Sequence, residues 1–308
     1  MSRPRLAVLA GPTAVGKTAA ALHLARVLVA AIVNADSLQV YRELYICTAK
    51  PTVAERQQVL HHLIDVVAPD EPYDAARYAG EARAVLADLA GEDTRPLVVG
   101  GTGLYIKALL HGLFVQAKDL GPARRRLLNE LATGGLEPLY ARLLTQDPLT
   151  AARLHPGDTY RILRALEVLE ATGRSLSYWQ ERHRFQDTPY EVLKLGLILP
   201  REELYRRIET RVEVMLAQGW LSEVEELLSR YPSDLKPLQA IGYRHLIAYL
   251  KGAWSLEAAV ALIKRDTRRY AKRQLTWFLA DPEMRWFHPA QVPEMLKLVS
   301  EFFAGRVL

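Results

Sequence analysis

The chain has a single cysteine, Cys47, so it can form no internal disulfide, and an unpaired thiol suits a reducing compartment. Long apolar runs are also missing. The Ala/Leu-rich stretch at 19–29 is interrupted by Arg26, and nothing approaches the roughly 20 apolar residues that cross a bilayer. The apolar run at 6–10 is too short for the core of a secretory signal and leads straight into a glycine-rich turn. There are no internal repeats and no low-complexity tracts. These absences argue against a disulfide-stapled secreted domain, a membrane protein and a disordered chain. The expectation is a cytosolic globular protein with no membrane partner. Its 308 residues, half of them hydrophobic, leave room for one large domain or two smaller ones around a substantial core.

Metal-ligand patterns are scarce as well. The pair His61-His62 has no second cluster of Cys, His or carboxylates at ligand spacing. It reads better as the start of a buried strand. No Asn-Lys-x-Asp guanine-reading motif is present.

What the sequence does contain is organised around Gly11-Pro12-Thr13-Ala14-Val15-Gly16-Lys17-Thr18. An apolar strand precedes it and a helix-forming run follows, which is the context of the G-x-x-x-x-G-K-T phosphate loop. Glycines let the backbone curl so that N–H groups point at phosphate oxygens, and the next helix offers its positive end. Lys17 would add a point charge on the outer phosphate, and Thr18 a hydroxyl for Mg²⁺. A second strand, 31–35, ends at Asp36-Ser37. Ligands of parallel sheets bind at the carboxyl ends of strands, which puts Asp36 beside the loop. There it could join a metal shell or act as a base; the alternative is a cap on the short turn 38–41. A further strand at 96–99 runs into Gly100-Gly101-Thr102-Gly103-Leu104-Tyr105. An ordinary ATPase of this class carries a metal-holding Asp at that strand end. Here there are glycines, which permit close approach, and the neutral hydroxyl of Thr102.

Residues 117–185 change character: Arg- and Leu-rich helical segments are broken by Gly and Pro. A strand returns at 192–199. The fold expected is α/β, a P-loop NTPase-like parallel sheet flanked by helices, formed by 1–116 and 186–308. It carries an all-helical insertion at 117–185 and a helical C-terminal region. Helices are expected at 73–90, 202–218 (with Gly219 as C-cap), 223–229, around 241–244, and at 255–279. Charge is uneven. Residues 1–116 hold 11 Lys/Arg against 11 Asp/Glu, and residues 117–308 hold 29 against 24. A neutral phosphate-binding half joined to a basic half points to a polyanionic partner, most simply nucleic acid. On the last long helix, Arg265, Arg268, Arg269 and Lys272 share one face at helical spacing. That face reads as a phosphate-backbone contact surface, with a solvated, ion-paired face as the alternative.

Several segments then occur in a familiar order: Gly11–Thr18; Asn34-Ala35-Asp36-Ser37-Leu38-Gln39-Val40-Tyr41; Thr48-Ala49-Lys50-Pro51; His61-His62-Leu63-Ile64-Asp65; Gly100–Tyr105; Arg161-x-x-Arg164; Gly242-Tyr243-Arg244; and Ala271-Lys272-Arg273-Gln274-Leu275-Thr276-Trp277. Together they resemble the bacterial tRNA dimethylallyltransferases, also called tRNA isopentenylpyrophosphate transferases, over nearly the whole chain. Cys47 departs from the glycine frequent in that family, outside these motif positions. No zinc-finger pattern like that of eukaryotic relatives follows the last helix. The resemblance implies transfer of a dimethylallyl group from dimethylallyl diphosphate to the exocyclic amine of the adenosine 3′ of the anticodon, with Mg²⁺, by a monomer. It implies that the phosphate loop grips the diphosphate leaving group. Asp36 is then the base, Arg211 an arginine on the diphosphate, and Thr102 a contact to the target nucleotide. Asp36, Ser37, Leu38 and Gln39 would read the flipped-out adenosine. Arg124 and Tyr160, Arg161, Ile162, Leu163 and Arg164 would join Arg268 and Arg269 in contacting the anticodon stem-loop. Rival readings are a nucleotide-kinase-like enzyme, a non-catalytic RNA binder with a degenerate loop, and a prenyltransferase acting on free adenine nucleotides.

Overall fold

The computed structural model describes residues 3–113, 120–183 and 189–306. The chain divides into two compact units, one of residues 1–110 with 189–308 and the other of residues 111–188. The boundaries expected at 116/117 and 185/186 lie outside the described residues.

The first unit opens with β1 (Arg5–Ala10), α1 (Lys17–Leu28) and β2 (Ala30–Asn34). There follow α2 (Val53–Gln58), β3 (His61–His62), α3 (Ala75–Gly91), β4 (Arg95–Gly100) and α4 (Gly103–His111). β1 and β2 are buried almost throughout, as parallel strands covered on both faces must be, which is why they read as continuous apolar runs. The strand expected to start at His61-His62 is only those two residues long, and both are half-buried rather than buried. Leu63 and Asp65 adopt φ of 61° and 58°, which turns the chain away. Val66 and Val67 instead donate their N–H groups to Val40.

The second unit is helical: α5 (Gly121–Gly134), α6 (Glu137–Gln146), α7 (Pro148–Ala151), α8 (Thr159–Thr172) and α9 (Leu176–His183). Gly and Pro residues punctuate it: Pro122, Pro138 and Pro148 sit in first turns, and Gly135 and Gly173 follow helix ends. Its core gathers Leu127, Leu139, Leu143, Ile162 and Leu166. The buried carboxylate of Asp147 accepts N–H groups from Thr150 and Ser177 and so fastens α7 to α9.

The first unit resumes with β5 (Glu191–Leu197), α10 (Arg201–Ala217), α11 (Trp220–Arg230), a 3₁₀ turn (Lys236–Gln239), α12 (Tyr243–Leu250), α13 (Leu256–Leu279), β6 (Arg285–Phe287) and α14 (Val292–Phe303). The C-cap of α10 is Gln218 rather than the expected Gly219, which, at φ 94°, is instead the N-cap of α11. The six strands form one sheet in the order β3-β2-β4-β1-β5-β6, and every pairing is parallel. β1 is central and is flanked by β4 and β5, with Ala10 opposite both Gly100 and Gly196. The loops leaving β1 and β4 therefore emerge side by side. α1 and α14 pack together, and Leu24, Leu28, Met295 and Val299 join Leu9 and Leu195 in the core.

Candidate active site

The phosphate loop bridges β1 and α1. Ala14 and Gly16 take φ of 63° and 108°, which only a small or absent side chain accepts readily. No side chain caps the N-terminus of α1, so its first N–H groups remain for an anion. Lys17 Nζ meanwhile donates to the loop's own carbonyls, Gly11 at 2.9 Å and Pro12 at 2.8 Å. Burial lowers the Lys17 pKa to about 8; the nearby Asp36 charge works against this shift and Arg211 works with it.

Asp36 follows β2. Its Oδ1 accepts the N–H groups of Leu38 at 2.9 Å and Gln39 at 3.4 Å, so the carboxylate caps the turn. Among the described residues Oδ2 has no hydrogen-bond donor, and both a cap and a base can be served by one side chain. Asn34 fixes the approach: its amide donates to Leu63 and Asp36 carbonyls and accepts the Asp36 N–H. Thr102 sits on the neighbouring strand end. Its Oγ1 accepts the Ser37 N–H at 3.0 Å and donates to Ser37 Oγ at 3.3 Å. Gln39 Nε2 donates to the Thr48 carbonyl at 3.0 Å and so holds the segment 42–51 against this turn.

Gln274, on α13, joins the two strand ends. It is 7% exposed; its Oε1 accepts the Thr13 N–H and its Nε2 donates to the Gly101 carbonyl, each at 2.9 Å. A Cβ on residue 101 would lie 2.3 Å from that Nε2, so Gly101 is glycine because a side chain, rather than a ligand, comes close. Nothing in the sequence singled out Gln274 physically; it stood only inside a motif.

A cavity of about 660 Å³ lies within the first unit, and Thr102 and Asn34 are not among the residues that line it. Lys17, Thr18, Asp36, Ser37, Leu38 and Gln39 line it together with Arg211. Burial pulls the Arg211 pKa down, against the opposing charge of Asp36. Arg207, Arg244, Tyr270 and Arg273 also line it, and sequence reasoning missed all four as site residues. An apolar part of the wall comes from Ile208, Val212, Met215, Trp220 and Ile263. Cys47 reaches the same cavity; burial first, and Glu223 next, push its thiol pKa up, and its Sγ donates to Ile241 O.

The basic face of α13 is mostly ion-paired, so the expected phosphate surface is redrawn. Arg268 holds Glu209 at 2.6 Å, Lys264 holds Glu213 at 2.6 Å, and Arg265 holds Asp266 at 3.0 Å, with Arg269 3.8 Å from Asp266. Burial alone would raise the Asp266 pKa, but hydrogen bonds from Arg265, Arg244 and His245 outweigh it and bring the pKa to about 2.

In the helical unit, Arg124 and Arg164 both reach Glu167, at 2.7 Å and 3.4 Å, and that carboxylate is only 1% exposed. Arg161 pairs with Asp158 at 3.0 Å but stays largely exposed, as does Tyr160. Two expected RNA contacts are corrected here: Ile162 and Leu163 are buried core residues, whose side chains cannot meet a ligand. Among the described residues no group of three or more His, Cys, Asp or Glu could hold a metal ion, and no helix is long and apolar enough to cross a membrane.

Comparison with known proteins matches residues 39–281 to the IPP transferase family and residues 4–66 to the isopentenyl transferase family. The chain is 56% identical over 284 residues to a tRNA dimethylallyltransferase of Syntrophobacter fumaroxidans, covering 92% of this chain and 83% of that protein. It is 51% identical over 306 residues to tRNA dimethylallyltransferase 2 of Syntrophus aciditrophicus, covering 99% and 98%. Among solved structures it is similar to the tRNA isopentenylpyrophosphate transferase of Bacillus halodurans, with TM-score 0.74, 34% identity and coverage of 98% and 97%. A eukaryotic dimethylallyltransferase acting on tRNA aligns with TM-score 0.84, 27% identity and coverage of 99% and 81%. With a family model spanning most of its length and relatives this similar end to end, the chain belongs to the IPP transferase family.

Proposed function

We propose that this chain transfers the dimethylallyl group of dimethylallyl diphosphate to the exocyclic amine of the adenosine 3′ of the anticodon in tRNA. The observation that carries this reading is a single cavity lined by a phosphate loop, an adjacent carboxylate and an apolar wall. A hydrolase would need the loop and a positioned water; a short hydrocarbon on a diphosphate needs the loop and the apolar wall.

The chemistry assigns the groups. The amine nitrogen of adenine is a weak nucleophile because its lone pair is delocalised into the ring. As it bonds to the allylic carbon, the carbon–oxygen bond to diphosphate breaks and the amine proton passes to Asp36, through the oxygen the turn does not use. Diphosphate leaves with its electron pair onto the loop amides, Lys17 and Arg211, which are in place before charge develops. Lys17 releases the Gly11 and Pro12 carbonyls to reach it. Thr102, through Ser37, holds the Asp36 turn where the flipped nucleotide enters. The Thr18 hydroxyl, exposed at the start of α1, fits the all-oxygen donor set of Mg²⁺ when joined by diphosphate oxygens and water. Thr18 would hold that ion, which when bound neutralises charge on the diphosphate. Exposed Tyr160 and Arg161, with the outer edges of Arg124 and Arg164, are the helical unit's candidates for the anticodon stem-loop. The enzyme acts as a monomer in the cytoplasm on this reading.

The test is mass analysis of unmodified tRNA incubated with the protein, Mg²⁺ and dimethylallyl diphosphate. A gain of one five-carbon unit on that adenosine is expected. No gain, with ATP consumed instead, would make the loop a kinase loop.

A further inference from the structure

Most polar side chains around the cavity already have partners. Lys17 holds the Gly11 and Pro12 carbonyls, and Gln274 holds Thr13 and Gly101. Arg207 pairs with Glu203 and Arg244 with Asp266, and Cys47 donates to the Ile241 carbonyl. Tyr270 is different. It lines the cavity from α13 and is half-buried, yet among the described residues its hydroxyl has no hydrogen-bond partner. Trp220 Nε1 on the same wall is also unpartnered, but it is sealed from solvent, and the Tyr270 hydroxyl is not. A tyrosine hydroxyl taken out of bulk water ordinarily finds a partner, so one left over at a cavity wall points to a ligand.

Its place narrows the ligand. One helical turn further along α13, Gln274 braces the phosphate loop at Thr13. Asp36, at the end of β2, bears on Tyr270 as well. Burial first, and that charge next, hold the phenol pKa above its usual value, with Arg273 working the other way. Tyr270 thus belongs to the span of wall between the loop that grips diphosphate and the carboxylate that takes the amine proton. It is a neutral donor at any working pH. The carbon–oxygen bond that breaks lies between those same two groups.

We propose that Tyr270 is a further catalytic residue, whose hydroxyl donates a hydrogen bond to the oxygen bridging the allylic carbon and the first phosphorus of the donor. This rests on the functional reading above. In the donor that atom is an ester oxygen with little charge. As the carbon–oxygen bond breaks, the bonding pair stays on it; carbon takes the adenine nitrogen, and the amine proton goes to Asp36. Charge on the bridging oxygen grows throughout, so a hydrogen bond aimed at it favours the transition state over the substrate. The phenol keeps its own proton, because diphosphate is a weaker base than a phenolate.

The test compares wild type with Y270F. Melting curves should coincide, since the variant loses no internal hydrogen bond. With saturating donor and unmodified tRNA, the single-turnover rate should fall about 10- to 100-fold, the span of one hydrogen bond to a charged oxygen. The half-saturating donor concentration and the tRNA affinity should move less than about threefold, because the ester oxygen of the ground state is a weak acceptor. Inorganic diphosphate carries on that oxygen the charge the ester lacks, so its Kd, read by calorimetry, should rise more than about fivefold. An unchanged rate would remove Tyr270 from the chemistry. Equal losses for donor and inorganic diphosphate would make it an ordinary phosphate contact. A slower rate with intact diphosphate binding, or a loss confined to tRNA affinity, would move the hydroxyl off the leaving group. Each of these results overturns the assignment. Wild-type protein that transfers no five-carbon unit would overturn the functional reading itself.

Discussion

Replacing Asp36 by asparagine separates the two jobs this side chain holds. Its Oδ1 accepts the N–H groups of Leu38 and Gln39, and asparagine keeps an oxygen for that cap. What asparagine cannot do is take a proton. Asp36→Asn should therefore lower the single-turnover rate about 10²- to 10⁴-fold, the usual share of a general base, or about 3–5 kcal/mol of barrier. RNA affinity should stay within about threefold, because the surface offered to RNA is unchanged. Asp36→Ala loses the cap as well, at a cost of about 0.5–2 kcal/mol in stability, so its melting point should fall by a few degrees while that of Asp36→Asn holds. Rapid-quench measurement at saturating diphosphate donor and RNA reads chemistry rather than product release. An asparagine variant within about tenfold of wild type would refute the assignment and leave Asp36 as a turn cap alone.

Gln274→Leu leaves the Thr13 N–H and the Gly101 carbonyl without their partner, and should cost about 2–4 kcal/mol of stability and weaken inorganic diphosphate binding in a titration. For Lys17, folded pKa about 8 against 10.5, the unfolded chain binds the extra proton between those values. Stability should therefore rise as pH climbs from about 8 to 10.5, and diphosphate affinity should fall over the same range as the loop loses its charge; calorimetric titrations across that window read both. Removing Arg124 and Arg164 together strands the buried Glu167 carboxylate and should destabilise the helical unit by about 3–5 kcal/mol. Each single arginine variant should cost much less, and chemical denaturation distinguishes the two cases.

The sheet was legible in the sequence where its strands are wholly buried. The runs at 6–10, 31–35, 96–99 and 192–199 became β1, β2, β4 and β5, each within a residue or two. The strand after the helical segment was readable because Val192–Leu195 repeats the apolar habit of a covered strand. β6 was missed: three residues, none fully buried, carry no periodicity to detect. The phosphate loop and Asp36 were legible because their chemistry is local in sequence. Arg211, the role of Thr102 and the stem-loop residues of the helical unit came through family resemblance, and burial then removed the Ile162 and Leu163 side chains from that set. Gln274, Tyr270 and Arg273 were out of reach because their meaning depends on a helix from one end of the chain crossing a loop from the other. The face of α13 that sequence spacing selected was chosen by charge; the neighbouring α10 supplies Glu209 to Arg268, and Asp266 of α13 itself takes Arg265 and lies near Arg269.

The clamp made by Gln274 also sets a clock on biosynthesis. Its partner Thr13 lies 261 residues earlier in the chain. At about 5–20 residues per second, roughly 13–50 s separate translation of the loop from translation of the residue that braces it. β1 waits about seven-tenths as long for β5, its partner on one side. A nascent chain thus carries an unbraced glycine-rich anion nest and a central strand open on its β5 side well before either has its full set of native neighbours. Ribosome-bound intermediates stalled before residue 274 should be open to proteolysis around the loop, and those stalled far enough beyond it for α13 to emerge should be protected.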